Sequence, residues 1–269
     1  MAGEEAARPV ETNVEGVIGW VRLTQADRRN PLDRETADAL LAAFEQHFAD
    51  DRVRMLAVIG EGEAFCAGGD LRQMGAFSLL PPREAFEWPA SIVDLHRRML
   101  RAEKPVVAAV NGPAFAGGMG LAGMCDVLIA QRSATFAMPE VRVGIFPMII
   151  VAHLCRALPR KVLLDLMMTG RPLSAEAAER VGFVNKVVDD REDLVEAVRT
   201  YAGWFENAAP GAIALGRRTF GLLSELTADQ ALDAAQFLVL PFHLGEDLQE
   251  GADAFLGRRS PSWVPQSDG

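Results

Sequence analysis

Two short segments of this chain nearly repeat each other, and each stands between an unbroken apolar run and a stretch of helical spacing. Residues 64–69 read Ala-Phe-Cys-Ala-Gly-Gly and follow Met55-Leu56-Ala57-Val58-Ile59; residues 114–118 read Ala-Phe-Ala-Gly-Gly and follow Val106-Val107-Ala108-Ala109-Val110. A five-residue apolar run with no polar alternation suits a strand buried on both faces, and such a strand needs a layer on either side. Val127-Leu128-Ile129-Ala130 reads as a further strand of this kind, and Val184–Val188 as another. Helical stretches fall between them: Leu32–Phe48, Phe86–Ala102, Gly118–Met124, Pro147–Leu158, Lys161–Thr169 and Ser174–Arg180, the last with Ser174 as N-cap and Gly182 just past its end. Strand, turn and helix recurring in this order predict an α/β fold.

The organisation changes along the chain. Residues 1–13 carry little apolar content and read as a solvated tail, and Val14–Leu23 reads as the first strand. Residues 14–190 form the predicted core. After residue 190 no strand pattern is left: Leu194, Val198, Tyr201 and Phe205 mark one face of a helix, and Thr227-Ala228-Asp229-Gln230 is a capping box opening another. Residues 191–269 are therefore predicted to be helical and to pack on the core or on a neighbouring subunit.

Composition excludes several functions. The net charge is −10, and only three of the 27 basic residues are lysines (Lys104, Lys161, Lys186), which weighs against a general nucleic-acid or anionic-membrane binder. The longest uncharged apolar tract, Gly112–Cys125, carries five glycines and is too short to span a bilayer. The acidic start of the chain does not resemble a secretory signal, so a cytoplasmic location is expected. Three cysteines (Cys66, Cys125, Cys155) without a CxxC pair, and four scattered histidines (His47, His96, His153, His243) without HExxH, argue against a disulfide framework or a metal site. GxSxG and the Walker pattern are absent. Gly118-Met119-Gly120-Leu121-Ala122-Gly123 matches GxGxxG, but seven residues and a proline separate it from its strand, where a dinucleotide site has the first glycine directly after the strand.

The chemistry points elsewhere. Glycine lets a backbone N–H approach a ligand closely, and two such turns converging would offer two donors to one developing oxyanion, as acyl-group chemistry requires. Ordinary close-packed turns are the plain alternative. Asp70 with Gln73 makes an Asp-x-x-Gln cap, which is a structural role.

These residues resemble the enoyl-CoA hydratase/isomerase, or crotonase, superfamily over nearly the whole chain. Asn30-Pro31-Leu32 resembles the family's early loop; Ala64–Met74, Lys104–Asp126 and Phe136–Pro147 resemble its three signatures; Glu250–Leu256 with Arg259-Ser260-Pro261 resembles its tail. The resemblance implies a spiral core of ββα turns with a C-terminal helical oligomerisation region, assembled as a homotrimer or a dimer of trimers. It implies an acyl-CoA substrate, with coenzyme A as part of the thioester and no separate cofactor. By position, the oxyanion donors fall on Gly69 and Gly117, the thioester and pantetheine path on Gly69, Asp70, Leu71, Arg72 and Gly117, and the acid/base on Glu140. Arg28, Arg29 or Arg72 are candidates for the CoA phosphates. Hydratases of the family place a second glutamate three residues after the oxyanion glycine, and in this chain that position is Gly120. Pro147-Met148-Ile149-Ile150 offers no carboxylate nucleophile and, with Phe146, suggests an apolar acyl pocket.

One carboxylate favours double-bond isomerisation, in which a single base removes a proton from one carbon and returns it to another. Hydration of a 2-enoyl-CoA is the alternative, and a non-catalytic acyl-CoA-binding protein is the reading from another class. Restoring a carboxylate through Gly120→Glu is expected to raise hydration where the backbone accepts a side chain.

Overall fold

The protein is described here from a computed structural model covering residues 8–69, 75 and 79–264. A six-stranded sheet runs in the order β1 (Val10–Glu15), β2 (Ile18–Leu23), β3 (Met55–Gly60), β4 (Val106–Val110), β6 (Val127–Gln131), β9 (Lys186–Val188). Only the β1–β2 pair is antiparallel. A smaller sheet holds β5 (Ala114–Phe115), β7 (Thr135–Ala137) and β8 (Leu173–Ser174).

The start of the chain differs from its sequence reading. Val10–Glu15 is a strand, not tail, and a turn at Gly16, with φ +56°, folds it back onto Ile18–Leu23. The apolar spacing across 14–23 conceals this turn, because a hairpin needs only a residue that tolerates positive φ between its arms.

The continuous apolar runs are buried on both faces, as expected. Trp20, Met55, Ala57, Val107, Ala109 and Ile129 face one cluster with Leu194, Ala197 and Val198 of α8 (Arg191–Glu206). Their neighbours Val21, Leu56, Val58, Ala108 and Leu128 face the main core. There they meet α1 (Arg34–Ala49), capped by Asp33, whose carboxylate accepts from Thr36 N–H at 3.0 Å. The helical stretch from Phe86 divides at Pro89 into α2 (Pro82–Glu87) and α3 (Ala90–Leu100).

The spiral follows from which residues pair between successive turns. After each central strand the chain steps into the second layer. Pro31 bridges to Gly68, Cys66 to Ala114, and Ala114 pairs with Phe136, all in parallel. Each of those steps then enters α1, the segment leading to α3, α4 (Gly117–Gly123) or a 3-10 turn at Pro139–Val143. Next come α5 (Met148–Ala157), α6 (Arg160–Thr169) and α7 (Ala175–Arg180), the last capped by Ser174 as predicted.

Beyond α8 lie α9 (Pro210–Leu223), α10 (Ala228–Leu238), α11 (Leu240–Leu244) and α12 (Glu246–Leu256). The capping box of Thr227 and Gln230 is formed. Among the described residues no strand follows residue 190, and no helix is long and apolar enough to cross a membrane. Arg217 ties α9 to the core through Asp126 at 2.7 Å, while Asp126 also accepts from Val106 N–H at 2.8 Å. The outer helices bury little: Phe220, Leu232, Phe237, Leu244 and Phe255 are all exposed.

Candidate active site

Parallel pairing brings together three segments that are far apart in sequence. With Cys66 opposite Ala114 and Ala114 opposite Phe136, counting two residues onward sets Ala116 between Gly68 on one side and Met138 on the other. The hydrogen bonds agree: Phe115 N–H donates to Cys66 O at 2.9 Å and Ala116 N–H to Ala137 O at 2.8 Å. The two glycine elbows and the Glu140 turn are therefore neighbours, and a cavity of about 520 Å³ opens where they meet. Gly69, Gly117 and Glu140 all line it, with Leu32, Ile92, Phe146, Met148 and Ile150 among its apolar walls. The candidates Asp70, Leu71 and Arg72, and the predicted Asp70–Gln73 cap, lie outside the described residues.

Two asparagines shape the first elbow. The Asn30 side-chain amide donates to Glu61 O at 3.0 Å and Ala64 O at 2.9 Å, and Asn111 donates to Gly62 O and accepts from Gly60 N–H, both at 3.0 Å. These contacts give the Asn30 and Asn111 signature positions a concrete role: they hold the 60–64 loop from which Gly68 and Gly69 emerge.

The second elbow is strained. Ala116 sits at φ +50°, ψ −123°, a backbone conformation that side-chain-bearing residues rarely adopt and that costs about 1–3 kcal/mol. Gly68 opposite it has φ +85°, and a Cβ there would stand 2.6 Å from the Ala116 Cβ. The strain turns the chain sharply from β5 into α4, so that Gly117 begins the helix at the cavity wall. Among the described residues neither the Gly69 nor the Gly117 N–H has an acceptor.

Glu140 lies in the 3-10 turn, half-buried, and its Oε2 is enclosed without a hydrogen-bond partner. Burial raises its carboxyl above the ordinary range, against a smaller opposing effect from its own backbone N–H. No second acid lines the cavity among the described residues; Arg142 stands at its edge, exposed.

The GxGxxG glycines serve packing. A Cβ on Gly118 would lie 2.1 Å from Cys66 O, one on Gly120 2.1 Å from Ile150 Cγ2, and one on Gly123 2.4 Å from Leu154 Cδ2. Gly120 and Gly123 thus receive α5, and Gly118 receives the first elbow at Cys66. Gly120 does not accept a side chain unless Ile150 shifts, so the condition set on Gly120→Glu is not met by the packing around it.

The histidines are less scattered than their sequence positions. His96 and His153 meet edge to face with centroids 4.9 Å apart, and His153 Nε2 lies 3.0 Å from Gly120 O. His96 is buried with both ring nitrogens unpartnered. Burial, helped by His153, pushes its pKa down to about 3, and burial takes His153 down to about 4, so both rings are neutral at pH 7. The sequence carries no sign of this pair, since it depends on the contact of α3 with α5. Among the described residues no group of three or more His, Cys, Asp or Glu could hold a metal. Arg28 is engaged by Asp33 at 3.8 Å and Gln25 at 3.0 Å, and Arg29 is exposed.

Comparison with known proteins agrees with this architecture. The family described as Enoyl-CoA hydratase/isomerase matches residues 13–266. Carnitinyl-CoA dehydratase of Salmonella typhi is 34% identical over 245 residues, covering 88% of this chain and 91% of that protein. The mitochondrial enoyl-CoA hydratase domain-containing protein 3 of Rattus norvegicus is 33% identical over 263 residues, covering 97% and 86%. Among solved structures, an enoyl-CoA hydratase from Polaromonas sp. JS666 superposes with a TM-score of 0.88 at 31% identity, covering 94% of this chain and 98% of that one.

Proposed function

The chain belongs to the enoyl-CoA hydratase/isomerase family, and on that premise we propose that it isomerises the double bond of an enoyl-CoA thioester, with Glu140 as its single acid/base. The thioester oxygen is held between the N–H groups of Gly69 and Gly117, and charge developing on it is stabilised there. Glu140 removes a proton from C2 of a 3-enoyl-CoA, the electron pair spreads over the dienolate, and the same carboxyl returns a proton to C4, giving the 2-enoyl-CoA. A raised carboxyl pKa suits this work, because a base whose pKa approaches the working pH exchanges its proton in both directions. The apolar walls take the acyl chain and exclude water. Asp70, Leu71 and Arg72 follow Gly69 along the pantetheine path in this reading. The exposed apolar faces of α9–α12 bury one another in a homotrimer or a dimer of trimers, in a cytoplasmic enzyme that needs no cofactor beyond the CoA of its substrate.

The observation that carries this reading is that, among the described residues, Glu140 is the one carboxylate lining the cavity, its Oε2 without a partner, with Gly120 at the second position and the space beside it filled. Hydration of a 2-enoyl-CoA is the second reading, favoured by the names of the relatives. A panel of matched 2-enoyl- and 3-enoyl-CoA esters, with products separated by chromatography, tests both. Isomerisation exceeding hydration supports the first; hydration alone gives the second; binding without turnover leaves an acyl-CoA-binding protein.

A further inference from the structure

The contact between Gly120 and Ile150 links two elements just behind the cavity wall, which Ile150 lines and Gly120 does not. A Cβ at position 120 would lie 2.1 Å from Ile150 Cγ2 and 2.8 Å from Ile150 Cβ, distances that side chains do not share. Ile150 is itself buried and lines the cavity. On another element, His96 Cε1 approaches within 3.7 Å of the same point, so α5 and α3 together close the space. Ile150 holds no proton and offers no hydrogen bond to water. His96 does not line the cavity among the described residues, and burial keeps it neutral.

We infer that Ile150 is the residue that sets the reaction outcome, by filling with a methyl group the volume where a second carboxylate and its activated water would stand. The inference rests on the one-base reading above and names the side chain that enforces it. Water addition to C3 requires an oxygen nucleophile beside that carbon and a base to take its proton. A branched apolar side chain at that place denies the water room. Ile150 occupies the space that a side chain at 120 would take. Position 150 is thus the specificity determinant, and its effect does not depend on touching the proton that Glu140 moves.

The experiment compares wild type, Gly120→Glu, Ile150→Gly and the double variant G120E/I150G on the same 2- and 3-enoyl-CoA esters, with thermal melting and CoA-ester affinity recorded for each. Ile150→Gly removes both atoms that collide with a side chain at 120. Gly120→Glu alone is expected to melt lower and to hydrate no better than wild type, whereas the double variant recovers binding and raises the ratio of hydration to isomerisation at least tenfold. Ile150→Ser supplies a second measurement that needs no new carboxylate: with isomerisation run in D2O, deuterium incorporated into the product should rise at least threefold as water gains access to the Glu140 proton. Gly120→Glu hydrating as well as the double variant, or Ile150→Ser leaving deuterium incorporation unchanged, overturns the role of Ile150. The wild-type arm is separate: no isomerisation of any 3-enoyl-CoA sinks the one-base reading itself, whatever the variants do.

Discussion

Replacing Glu140 by glutamine should move activity and stability in opposite directions. The substitution keeps the shape of the side chain and removes the charge. Turnover is expected to fall at least ~100-fold, the low end for loss of a general acid/base, with CoA-ester affinity little changed. Stability is expected to rise. Glu140 Oε2 is enclosed without a partner, and burial disfavours its ionised form. Glutamine leaves a polar amide in the same place, so only the extra cost of holding a charge there is recovered, and for a half-buried group that is about 1 kcal/mol. At about 2.1 cal/mol/K of unfolding entropy per residue, a chain of 269 residues then melts roughly 2 °C higher. The sign of the pH dependence follows from the raised carboxyl. The folded state holds the proton more tightly than the unfolded state, so wild-type stability falls as pH rises from the unfolded value of 4.5 through the higher folded one. The stability advantage of Glu140→Gln should accordingly be present at pH 7.5 and absent at pH 4. Melting curves at both pH values and equal chain concentration, beside steady-state kinetics, read all of this. A variant that keeps near-normal turnover on every ester refutes the one-base mechanism, and a melting difference independent of pH refutes burial of the charge as the cause of the shift.

Gly117→Val should lose 100- to 1000-fold in kcat, as much as losing one oxyanion donor, because its side chain pushes the thioester oxygen away from the two N–H groups. It should still fold, because the one close approach of the added Cβ is to the flexible Leu32 side chain, at 3.2 Å. Gly118→Ala should instead fail in folding, since its methyl strikes Cys66 O at 2.1 Å; a soluble Gly118→Ala with wild-type melting would contradict the packing described. Ala116→Gly removes the φ strain but adds unfolded-state entropy, and the balance predicts a gain of about 1 kcal/mol with turnover within a few-fold of wild type, checked by melting and kinetics. Light scattering at micromolar concentration should give a mass that is a multiple of three chains, and a 29.1 kDa monomer would refute the assembly inferred for the exposed C-terminal faces.

The central sheet was legible because its strands are buried on both faces. Burial of that kind writes itself as an unbroken apolar run, as in Met55–Ile59 and Val106–Val110, which no surface element produces. The capped helices were legible for a similarly local reason: Ser174, and Thr227 with Gln230, satisfy the first N–H groups of their own helices. The second sheet was not. Its strands are two or three residues long, too short for periodicity to register, and they exist because successive spiral turns bring their backbones together. The hairpin at Gly16 was missed because apolar residues continue across it. Glu140, Gly69 and Gly117 could be nominated from their signature positions, but their nearness to one another comes from the pairing of Cys66 with Ala114 and of Ala114 with Phe136.

The GxGxxG segment shows why a motif cannot be interpreted apart from its neighbours. In a dinucleotide fold such glycines clear space for a pyrophosphate; here Gly118, Gly120 and Gly123 clear space for Cys66, Ile150 and Leu154. The difference lies on α5, some thirty residues later, and the sequence of the motif does not contain it. The same dependence governs the missing glutamate. Read along the chain, Gly120 stands where the resemblance places a second glutamate, and one substitution supplies it wherever the backbone accepts a side chain. In the folded protein α5 has closed onto the glycine, and His153 reaches the carbonyl of the same residue at 3.0 Å. A close-packed interior does not leave such a gap open, since every unfilled contact forfeits attraction. The bare glycine at 120 and the side chain of Ile150 therefore form one packing arrangement, and under the function proposed above the chemistry of the cavity rests on the pair of positions, not on Gly120 alone.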